Sequence, residues 1–518
     1  MQYKIQITVL PHEAFINETL KKVVARKLQI NADEISDIVI EKKSIDARQR
    51  QPKINLGLKV FCGEKAVVAP ANFNYHNVGN KPEVLIIGSG PAGLFAALRL
   101  IELDFKPVVL ERGKNVSERK KDIATMVRSK TTNSESNYCY GEGGAGTFSD
   151  GKLYTRSNKR GNIFGILQRF HFHGAADEIL FESHPHIGTD KLPEVVKNMS
   201  KTIIDCGGEI YFDSKVDDIL LASGKIAGVK CSNGSVYKAK SLILACGHSA
   251  HDVYELLQTK NIKIEAKNFA VGVRVEHPQT LIDTIQYHSK TRSEFLPAAS
   301  YTLNAQVAQR GVYSFCMCPG GYIVPASTSE NGIVVNGMSS SRRHTAFANA
   351  GVVVETHIED LKGFEKYKNL SGLKFQHFIE NLAFKNGGGG QIAPAQRLTD
   401  FVNSRHSANL PESSYIIGLH ASPLHEWLPD ALVQRLQSGF KIFAQKMHGF
   451  LTNEAVIVGV ESRSSSPIRI PRNENMQHTE IEGLFPCGEG AGYAGGITSS
   501  AMDGENCAEK VAEYLKLN

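Results

Sequence analysis

Three glycines with the spacing GxGxxG form the stretch of this sequence best suited to chemistry. Gly88, Gly90 and Gly93 follow the apolar run at residues 84–87 and open a helical pattern. The first glycine permits a tight turn, the second lets a pyrophosphate approach the backbone, and the third lets the helix pack closely on the strand. Glu111 ends the next apolar run, where a carboxylate accepts hydrogen bonds from ribose hydroxyls and disfavours a 2′-phosphate. The spacing therefore predicts a dinucleotide site that does not favour NADP.

A second group with chemical potential is the CxC pair Cys316 and Cys318. On a strand, side chains two residues apart share one face, so the two thiols could meet a redox cofactor or a metal together. A lone CxC lacks the further ligands of a metal site, and we predict no metal. A disulfide across one residue would be strained and easily reduced, and cysteine is also a common buried small hydrophobe. We expect the pair to be packed on the sheet without redox cycling.

Four other side chains are candidates for contact with a substrate, namely Lys152, Arg274, His277 and Arg463. The two arginines could clamp a carboxylate, although ion pairing at the surface is the usual fate of an arginine. His277 precedes a proline at the end of a predicted strand, which leaves a structural role equally open. Together with the CxC pair, these residues are the predicted catalytic set.

The elements that must position these residues begin with a separate N-terminal domain at residues 1–75. Its alternating and helical apolar patterns predict the order strand, helix, strand, strand, which indicates an α+β domain of the ferredoxin-like kind. A basic loop at residues 42–53 separates the last two strands. This loop is either a solvated hairpin tip or a docking surface for an acidic partner such as RNA, and its lack of interleaved aromatic residues disfavours single-stranded RNA.

The rest of the chain is predicted to be a Rossmann-like α/β domain with an insertion. Residues 82–265 form its first part, and residues 441–518 return to it through an apolar strand, a glycine turn and a final helix. Residues 266–440 have the pattern of an inserted cap or substrate domain of mainly antiparallel strands. A glycine-rich stretch at residues 141–155 is either a ligand-binding loop or a mobile lid.

Composition limits the class of protein. The 518 residues carry a net charge of +6, and 42% of them are hydrophobic, as in ordinary soluble globular proteins, so neither nucleic acid nor a membrane is favoured as a partner. The most apolar window contains charged residues and no signal peptide is apparent, so no membrane segment is expected. The nine scattered cysteines fit reduced thiols in a cytoplasm better than a disulfide framework.

Six motifs together give the chain a resemblance to a known family. They are the GxGxxG fingerprint, GEGGAGTFSDGKLYT at 141–155, LILACGHSA at 242–250, FCMCPGG at 315–321, APAQR at 393–397 and PCGEGAGYAGGI at 486–497. With these motifs, the chain resembles a bacterial family of FAD-dependent dehydrogenases within the glutathione-reductase-like FAD-binding superfamily. The resemblance spans nearly the whole length and implies a Rossmann-like domain with FAD as the cofactor. No second strand–GxGxxG–helix unit is apparent, so we expect no independent NAD(P)H domain.

The resemblance also implies roles for individual residues. The fingerprint glycines would hold the FAD pyrophosphate, Glu111 the adenosine ribose, and the backbone of Val216 the adenine. The dipeptide 488–489 stands where the superfamily carries Gly-Asp, and residues 496–497 would present N–H groups to the flavin end that gathers negative charge on reduction. The predicted cofactor-binding set is Gly88, Gly90, Pro91, Ala92, Gly93, Glu111, Arg112, Gly144, Gly146, Thr147, Val216, Ala245, Gly247, Gly488, Glu489, Gly496 and Ile497.

From these observations we predict a cytoplasmic FAD-dependent oxidoreductase. It would exchange a hydride between bound flavin and a small organic substrate held between the cap and the isoalloxazine ring. An external electron donor or acceptor, with NAD(P)H as one candidate, would complete the cycle. Two alternatives stay open: a flavoprotein that acts on or docks to RNA through the basic N-terminal domain, and a flavin-binding protein without turnover.

Overall fold

A computed structural model describes residues 1–67, 71–155 and 159–517 of the chain. The strands of these residues, in chain order, are β1 (Gln2–Val9), β2 (Ile35–Asp46), β3 (Lys53–Cys62), β4 (Glu83–Ile87), β5 (Lys106–Leu110), β6 (Glu209–Tyr211), β7 (Val216–Ala222), β8 (Lys225–Cys231), β9 (Val236–Lys238), β10 (Leu242–Leu244), β11 (Glu265–Ala266), β12 (Phe269–Pro278), β13 (Asn304–Val307), β14 (Arg310–Cys318), β15 (Gly321–Pro325), β16 (Val335–Ser339), β17 (Phe347–Thr356), β18 (Ala393–Arg397), β19 (Leu419–Ala421), β20 (Val456–Glu461), β21 (Ile468–Arg469) and β22 (Leu484–Pro486).

The α-helices of the same residues are α1 (Pro11–Phe15), α2 (Asn17–Leu28), α3 (Pro91–Glu102), α4 (Val116–Ser129), α5 (Ile163–Phe172), α6 (Leu192–Asp205), α7 (His251–Thr259), α8 (Gln279–Tyr287), α9 (Ser371–Lys385), α10 (Leu398–Val402), α11 (Leu424–Trp427), α12 (Asp430–Lys446) and α13 (Ile497–Leu517). Among these helices, none has the length and apolar character needed to cross a membrane.

A parallel sheet with the strand order β22-β10-β4-β5-β6 forms the first core. Its central strand β4 is apolar and almost wholly buried, as expected of a parallel strand covered on both faces. The helices α3 and α13 pack against each other, because Gly504 of α13 has no side chain and lies against the backbone of Ala92. This arrangement confirms the predicted Rossmann-like domain, and a small antiparallel sheet of β7, β8 and β9 lies between β6 and β10 in the chain.

The cap is built on a seven-stranded sheet with the order β13-β14-β17-β12-β20-β18-β19. It is antiparallel except for the pair β18–β19. The predicted insertion ended at residue 440, yet β20 pairs with β12 and β18, and β11 pairs with β21. The insertion in the parallel-sheet domain therefore runs from β11 to β21. A short apolar run such as β20 is consistent with either sheet, and only its long-range partners decide between them.

The N-terminal segment forms an antiparallel sheet with the order β1-β3-β2, on which α1 and α2 pack. The strands match the predicted ones, but the second helix and the fourth strand of a ferredoxin-like domain have no counterpart within residues 1–67. The strand β2 also continues to Asp46, so the predicted basic loop at 42–53 is shortened to residues 47–52.

Two basic side chains of this segment are paired within the protein. The Nζ of Lys43 lies 3.1 Å from a carboxylate oxygen of Glu182, and the guanidinium of Arg48 lies 2.6 Å from that of Asp46. The apolar core under the N-terminal sheet is continuous with the core of the cap. The N-terminal sheet is therefore docked on the rest of the chain.

Removal of residues 1–67 is expected to leave FAD bound, because no predicted cofactor residue lies in that segment. The shortened chain is expected to have a lower Tm than the full chain, since the core it shares with the cap would be exposed to water. FAD content per chain after desalting and a thermal unfolding curve measure the two effects. A folded, soluble truncation that binds no FAD would contradict the expectation.

Candidate functional site

A cavity lies between the parallel sheet, the glycine-rich loop and the cap. Two residues of the predicted catalytic set, Cys316 and Arg463, line it. Of the predicted cofactor-binding residues, the ones in its wall are Gly88, Gly90, Pro91, Ala92, Glu111, Arg112, Gly144, Gly146, Val216, Ala245, Gly247, Glu489, Gly496 and Ile497. The other three, Gly93, Thr147 and Gly488, do not line the cavity, but each is adjacent in sequence to a residue that does. The structure thus brings together residues from both halves of the parallel-sheet domain and from the cap.

The turn between β4 and α3 has the geometry that the fingerprint predicts. Gly88 has a φ of 99°, which favours glycine, and a side chain at Gly93 would overlap the carbonyl oxygen of Gly88. Gly90 is the N-cap of α3, and a Cβ built on it would find the Cα of Gly144 at 3.9 Å as its nearest neighbour. The fold itself therefore requires Gly88 and Gly93, whereas Gly90 keeps the N-terminus of α3 open to an anion.

Glu111 joins this turn to the glycine-rich loop. One carboxylate oxygen accepts hydrogen bonds from the backbone N–H and the hydroxyl of Ser89, at 2.9 and 2.8 Å. The other oxygen accepts from the N–H groups of Gly113 and Gly141, at 2.9 and 3.0 Å. A carboxylate has about four lone-pair sites, so protein donors fill all of them. A ribose hydroxyl would have to replace the Ser89 hydroxyl, which is the one donor of the four that can rotate away.

The glycine-rich loop is held from beneath by Arg119, a residue that no sequence motif marks. Its side chain is fully buried, and burial lowers its pKa to about 10. The guanidinium donates at distances of 2.8–3.3 Å to the backbone carbonyl oxygens of Asn137, Tyr138, Gly141 and Glu142. These bonds make the loop a packed wall of the cavity, in which Gly144 and Gly146 face the fingerprint.

Arg112 and Val216 lie at the end of the cavity where the adenine is predicted. Arg112 donates to both carboxylate oxygens of Asp252, at 2.9 and 2.8 Å, and its guanidinium lies 4.2 Å from the ring centroid of Tyr140. Arg112 is therefore committed to protein contacts. Val216 is the first residue of β7, in the wall of the cavity.

The N-terminus of α13 also lines the cavity. Gly496 precedes Ile497, the first residue of this helix, and apart from chain neighbours no described heavy atom lies within 4 Å of a Cβ built on Gly496. The first N–H groups of a helix have no partner within it, so this end offers donors and a partial positive charge. Glu489 lines the cavity nearby, and the N–H of Gly488 donates to Asp503 at 2.7 Å.

Cys316 and Cys318 lie on the cap side of the same cavity. The strand β14 has a β-bulge between Phe315 and Cys318, and Cys316 has a φ of +48°. Cys316 is half-buried and lines the cavity, whereas Cys318 is fully buried. The Nζ of Lys152 lies 3.9 Å from the Sγ of Cys316 and 3.3 Å from that of Cys318. The sequence did not indicate this contact between Lys152 and the two thiols, because Lys152 is 164 residues from Cys316 in the sequence.

The surroundings make the two thiols electrostatically different. A hydrogen bond with the Cys318 thiol lowers the pKa of Cys316, and the charges of Lys152 and Arg274 act in the same direction against burial. The same hydrogen bond, together with burial, raises the pKa of Cys318 well above its usual range. Burial would lower the pKa of Lys152, but Asp150, 3.2 Å from its Nζ, and the two thiols raise it. The surroundings thus favour ionisation of Cys316 over ionisation of Cys318.

The two predicted arginines already hold carboxylates of the protein. The fully buried Arg274 donates to Glu461 at 2.9 Å and to the carbonyl oxygen of Cys316 at 2.8 Å. Arg463 donates to both carboxylate oxygens of Glu380, at 2.9 Å each. The geometry thus gives no support to a clamp on a substrate carboxylate. It gives Arg274 a different task, which is to hold the backbone of Cys316.

His277 lies in the core of the cap, outside the lining of the cavity. Its ring packs against those of Phe450 and Tyr301, with centroid distances of 4.7 and 6.4 Å, and its Nε2 lies 2.8 Å from the carbonyl oxygen of Phe450. Burial lowers the pKa of His277 to about 4. These contacts favour the structural alternative for this residue.

The chemistry of the cavity fits FAD. The N-terminus of α3 at Gly90 offers N–H donors and partial positive charge to a pyrophosphate. The N-terminus of α13 at Gly496 offers the same to the flavin end that becomes negative on reduction. Both helix ends open into one cavity. The cavity therefore offers donors to two groups of FAD that carry negative charge, the pyrophosphate and the reduced flavin.

Comparison with known proteins defines the class. Residues 82–275 match a family model described as pyridine nucleotide-disulphide oxidoreductase, and residues 268–464 match one described as FAD-dependent protein, C-terminal domain-like. Residues 1–61 match a domain of unknown function. The second match covers the cap sheet through β20. This protein is an FAD-dependent oxidoreductase, and FAD is its cofactor.

A relative of similar length identifies the family of the chain. An uncharacterized protein of Clostridium beijerinckii is 40% identical in an alignment 518 residues long that covers 96% of this chain and 96% of that protein. The chain belongs to the family of this clostridial protein.

Two solved structures are also similar to the chain. A geranylgeranyl bacteriochlorophyll reductase-like protein of Thermoplasma acidophilum is 14% identical, with a TM-score of 0.36 over 84% of this chain and 79% of that chain. A glycine oxidase of Bacillus cereus is 14% identical, with a TM-score of 0.33 over 83% of this chain and 95% of that chain. TM-scores this low carry no argument about the reaction of this chain.

Gly90→Val is expected to abolish FAD retention and to leave the apoprotein folded. The backbone of Gly90 is extended and a side chain there has space, but that space is where the pyrophosphate must meet the helix. Gly93→Ala is expected instead to destabilise the fold with or without FAD, because its Cβ would overlap Gly88. FAD absorbance after desalting and circular dichroism separate the effects, with Gly311→Val in β14 as the control. Full FAD occupancy in Gly90→Val would place the pyrophosphate elsewhere.

Alkylation of Cys316 by iodoacetamide in the reduced holoenzyme is expected to have a midpoint well below the pKa of an ordinary thiol, because its surroundings lower the pKa of Cys316. The thiolate persists above that pH, and reactivity is lost as the pH falls through it. Lys152→Gln is expected to move the midpoint to higher pH, since it removes a positive charge beside the thiolate, and Lys152→Arg should restore it. Fragment masses of the peptide that contains Cys316 give the rate. An identical profile in Lys152→Gln would show that the lysine does not act on this thiol.

Proposed function

We propose that the protein exchanges a hydride between FAD and a small organic substrate bound at the cap side of the cavity. Bound FAD supplies the hydride-accepting, two-electron chemistry. The observation that carries the proposal is that Phe315, Cys316 and Asn336 of the cap line the same cavity as Gly496 and Ile497. A substrate between these two walls meets the end of the cavity that is suited to the flavin, away from the end suited to the adenosine.

The cofactor contacts that we propose follow the two helix ends. The fingerprint at Gly90 would hold the pyrophosphate, and the N–H groups at Gly496 and Ile497 would stabilise negative charge on the reduced flavin. Glu489 would face the ribityl chain, while the backbone bond from Gly488 to Asp503 keeps this turn in place. The match of residues 82–275 to an oxidoreductase model supports a glutathione-reductase-like domain.

The wall that faces the substrate favours a small, weakly polar molecule. It combines the ring of Phe315, the thiolate of Cys316 and the amide of Asn336. The amide oxygen of Asn336 already accepts a hydrogen bond from Arg274 at 3.3 Å, which fixes the orientation of its side chain. A polyanion would be repelled by the thiolate, and the cations behind it are engaged by Asp150, Glu461 and the thiols themselves.

The proposed function also includes an external electron donor or acceptor, with NAD(P)H as one candidate, and a cytoplasmic location, both inferred from the sequence. The alternative in which the protein acts on RNA receives no support from the family matches, and Lys43 and Arg48 of its basic segment are paired within the protein.

Anaerobic mixing of the purified holoenzyme with NADH, NADPH and a panel of small alcohols, amines and hydroxy acids tests the proposed function. Loss of the oxidised-flavin absorbance reports hydride transfer, and we expect at least one compound to reduce the bound FAD faster than it reduces free FAD. Phe315→Ala is expected to keep its FAD and to slow this step roughly tenfold, the effect of about 1.4 kcal/mol on the barrier. Phe378→Ala, at an exposed position of α9 in the same cap, is the matched control.

Two results would contradict the proposed function. In the first, dithionite reduces the bound FAD, but no compound of the panel reduces bound FAD faster than it reduces free FAD. This result would favour the flavin-binding protein without turnover. An unchanged rate in Phe315→Ala would place the substrate away from the cap wall.

A further inference from the structure

We propose that Cys316 and Cys318 are a redox-active pair that exchanges two electrons with the bound FAD across the cap wall of the cavity. This inference rests on the proposed function, because it adds an electron store to the same site. It replaces the expectation from sequence that the two cysteines are only packed on the sheet.

The position of the pair is the first argument. Cys316 lies in the cavity wall with Gly496 and Ile497 of the α13 N-terminus, and Cys318 lies directly behind it. The Sγ of Cys318 is 3.2 Å from the carbonyl oxygen of Cys316, so the second side chain folds back towards the first. The bulge and the positive φ at Cys316 break the alternation of β14, and such conformations cluster at functional sites.

The second argument is the charge around the sulfurs. The ammonium of Lys152 contacts both of them, and Nη2 of Arg274 lies 3.5 Å from the Sγ of Cys318. These cations stabilise a thiolate, which is the reactive form of cysteine in disulfide chemistry. Cys246 provides a comparison within the same cavity wall, because burial raises its pKa to about 12. The cations thus stabilise a thiolate in the CxC pair, and not every thiol in the cavity wall is stabilised in this way.

The proposed step balances without a further reagent. A bond forms between the two Sγ atoms, the S–H bond of Cys318 breaks, and two electrons and this proton pass to oxidised FAD. The negative charge of the Cys316 thiolate thereby moves to the reduced cofactor, where the N-terminus of α13 stabilises it. The reverse step reduces the disulfide. A disulfide across one residue is strained and therefore easily reduced, so strain favours this reverse step, in which reduced FAD gives two electrons to the disulfide.

Anaerobic titration of the oxidised holoenzyme with dithionite counts the electrons that the site accepts. The wild type is expected to take up four electrons per FAD, two for the flavin and two for the disulfide. Cys316→Ser and Cys318→Ser are each expected to keep their FAD and to take up two. Cys62→Ser, in the N-terminal sheet and outside the lining of the cavity, is the matched control and is expected to take up four.

Labelling with N-ethylmaleimide before and after reduction, followed by peptide mass spectrometry, gives a second readout that does not depend on activity. Cys316 and Cys318 are expected to be blocked in the oxidised wild type and labelled after reduction. Uptake of two electrons by the wild type, with both thiols labelled in the oxidised enzyme, would overturn the inference and leave the proposed function intact. Failure of the proposed function would appear differently, as bound FAD that no hydride donor of the panel reduces.

Discussion

Two buried charged side chains hold the cofactor side of the cavity together, and the rest of the site depends on them. The Glu111 carboxylate links the β4–α3 turn at Ser89 to the loop at Gly141, and the Arg119 guanidinium binds four carbonyl oxygens of the same loop. Such groups are tolerated in the interior only when they are fully hydrogen-bonded, so each one specifies a single arrangement of the backbone around it. The glycine-rich loop is held in this way against the N-terminus of α3, which forms the wall that a pyrophosphate would meet.

A third buried charged side chain, Arg274, fixes the backbone on the cap side of the cavity. Arg274 of β12 pairs with Glu461 of β20, donates to Asn349 of β17, and donates to the carbonyl oxygen of Cys316 in β14. One guanidinium thus joins four neighbouring strands at the point where the CxC pair faces the cavity. Breaking one side of a buried ion pair costs about 3–5 kcal/mol, because it leaves the other charge unpaired. The position of the thiols is therefore tied to the stability of the cap sheet, and Arg274 acts as a positioning residue.

The cofactor half of the site could be predicted from the sequence because its signals are local. Strand β4, the fingerprint glycines and helix α3 lie within one short segment, where spacing alone carries the geometry. The contacts that could not be predicted are between distant segments. Lys152 meets Cys316 across 164 residues, Arg463 meets Glu380 across 83, and Arg119 looks like any basic residue of an amphipathic helix. The predicted placement of β20 in the parallel-sheet domain was wrong for the same reason, since an apolar run does not show which sheet it will join.

The central claim of this account is that FAD spans the cavity with its flavin against the cap thiols, and a crystal structure of the FAD-bound enzyme tests it most directly. The deciding measurement is the distance from the Sγ of Cys316 to the nearest atom of the isoalloxazine ring. We predict van der Waals contact, about 4 Å, with the pyrophosphate at Gly90 and the ring beside Gly496. A reversed cofactor, or a ring separated from Cys316 by other side chains, would contradict it.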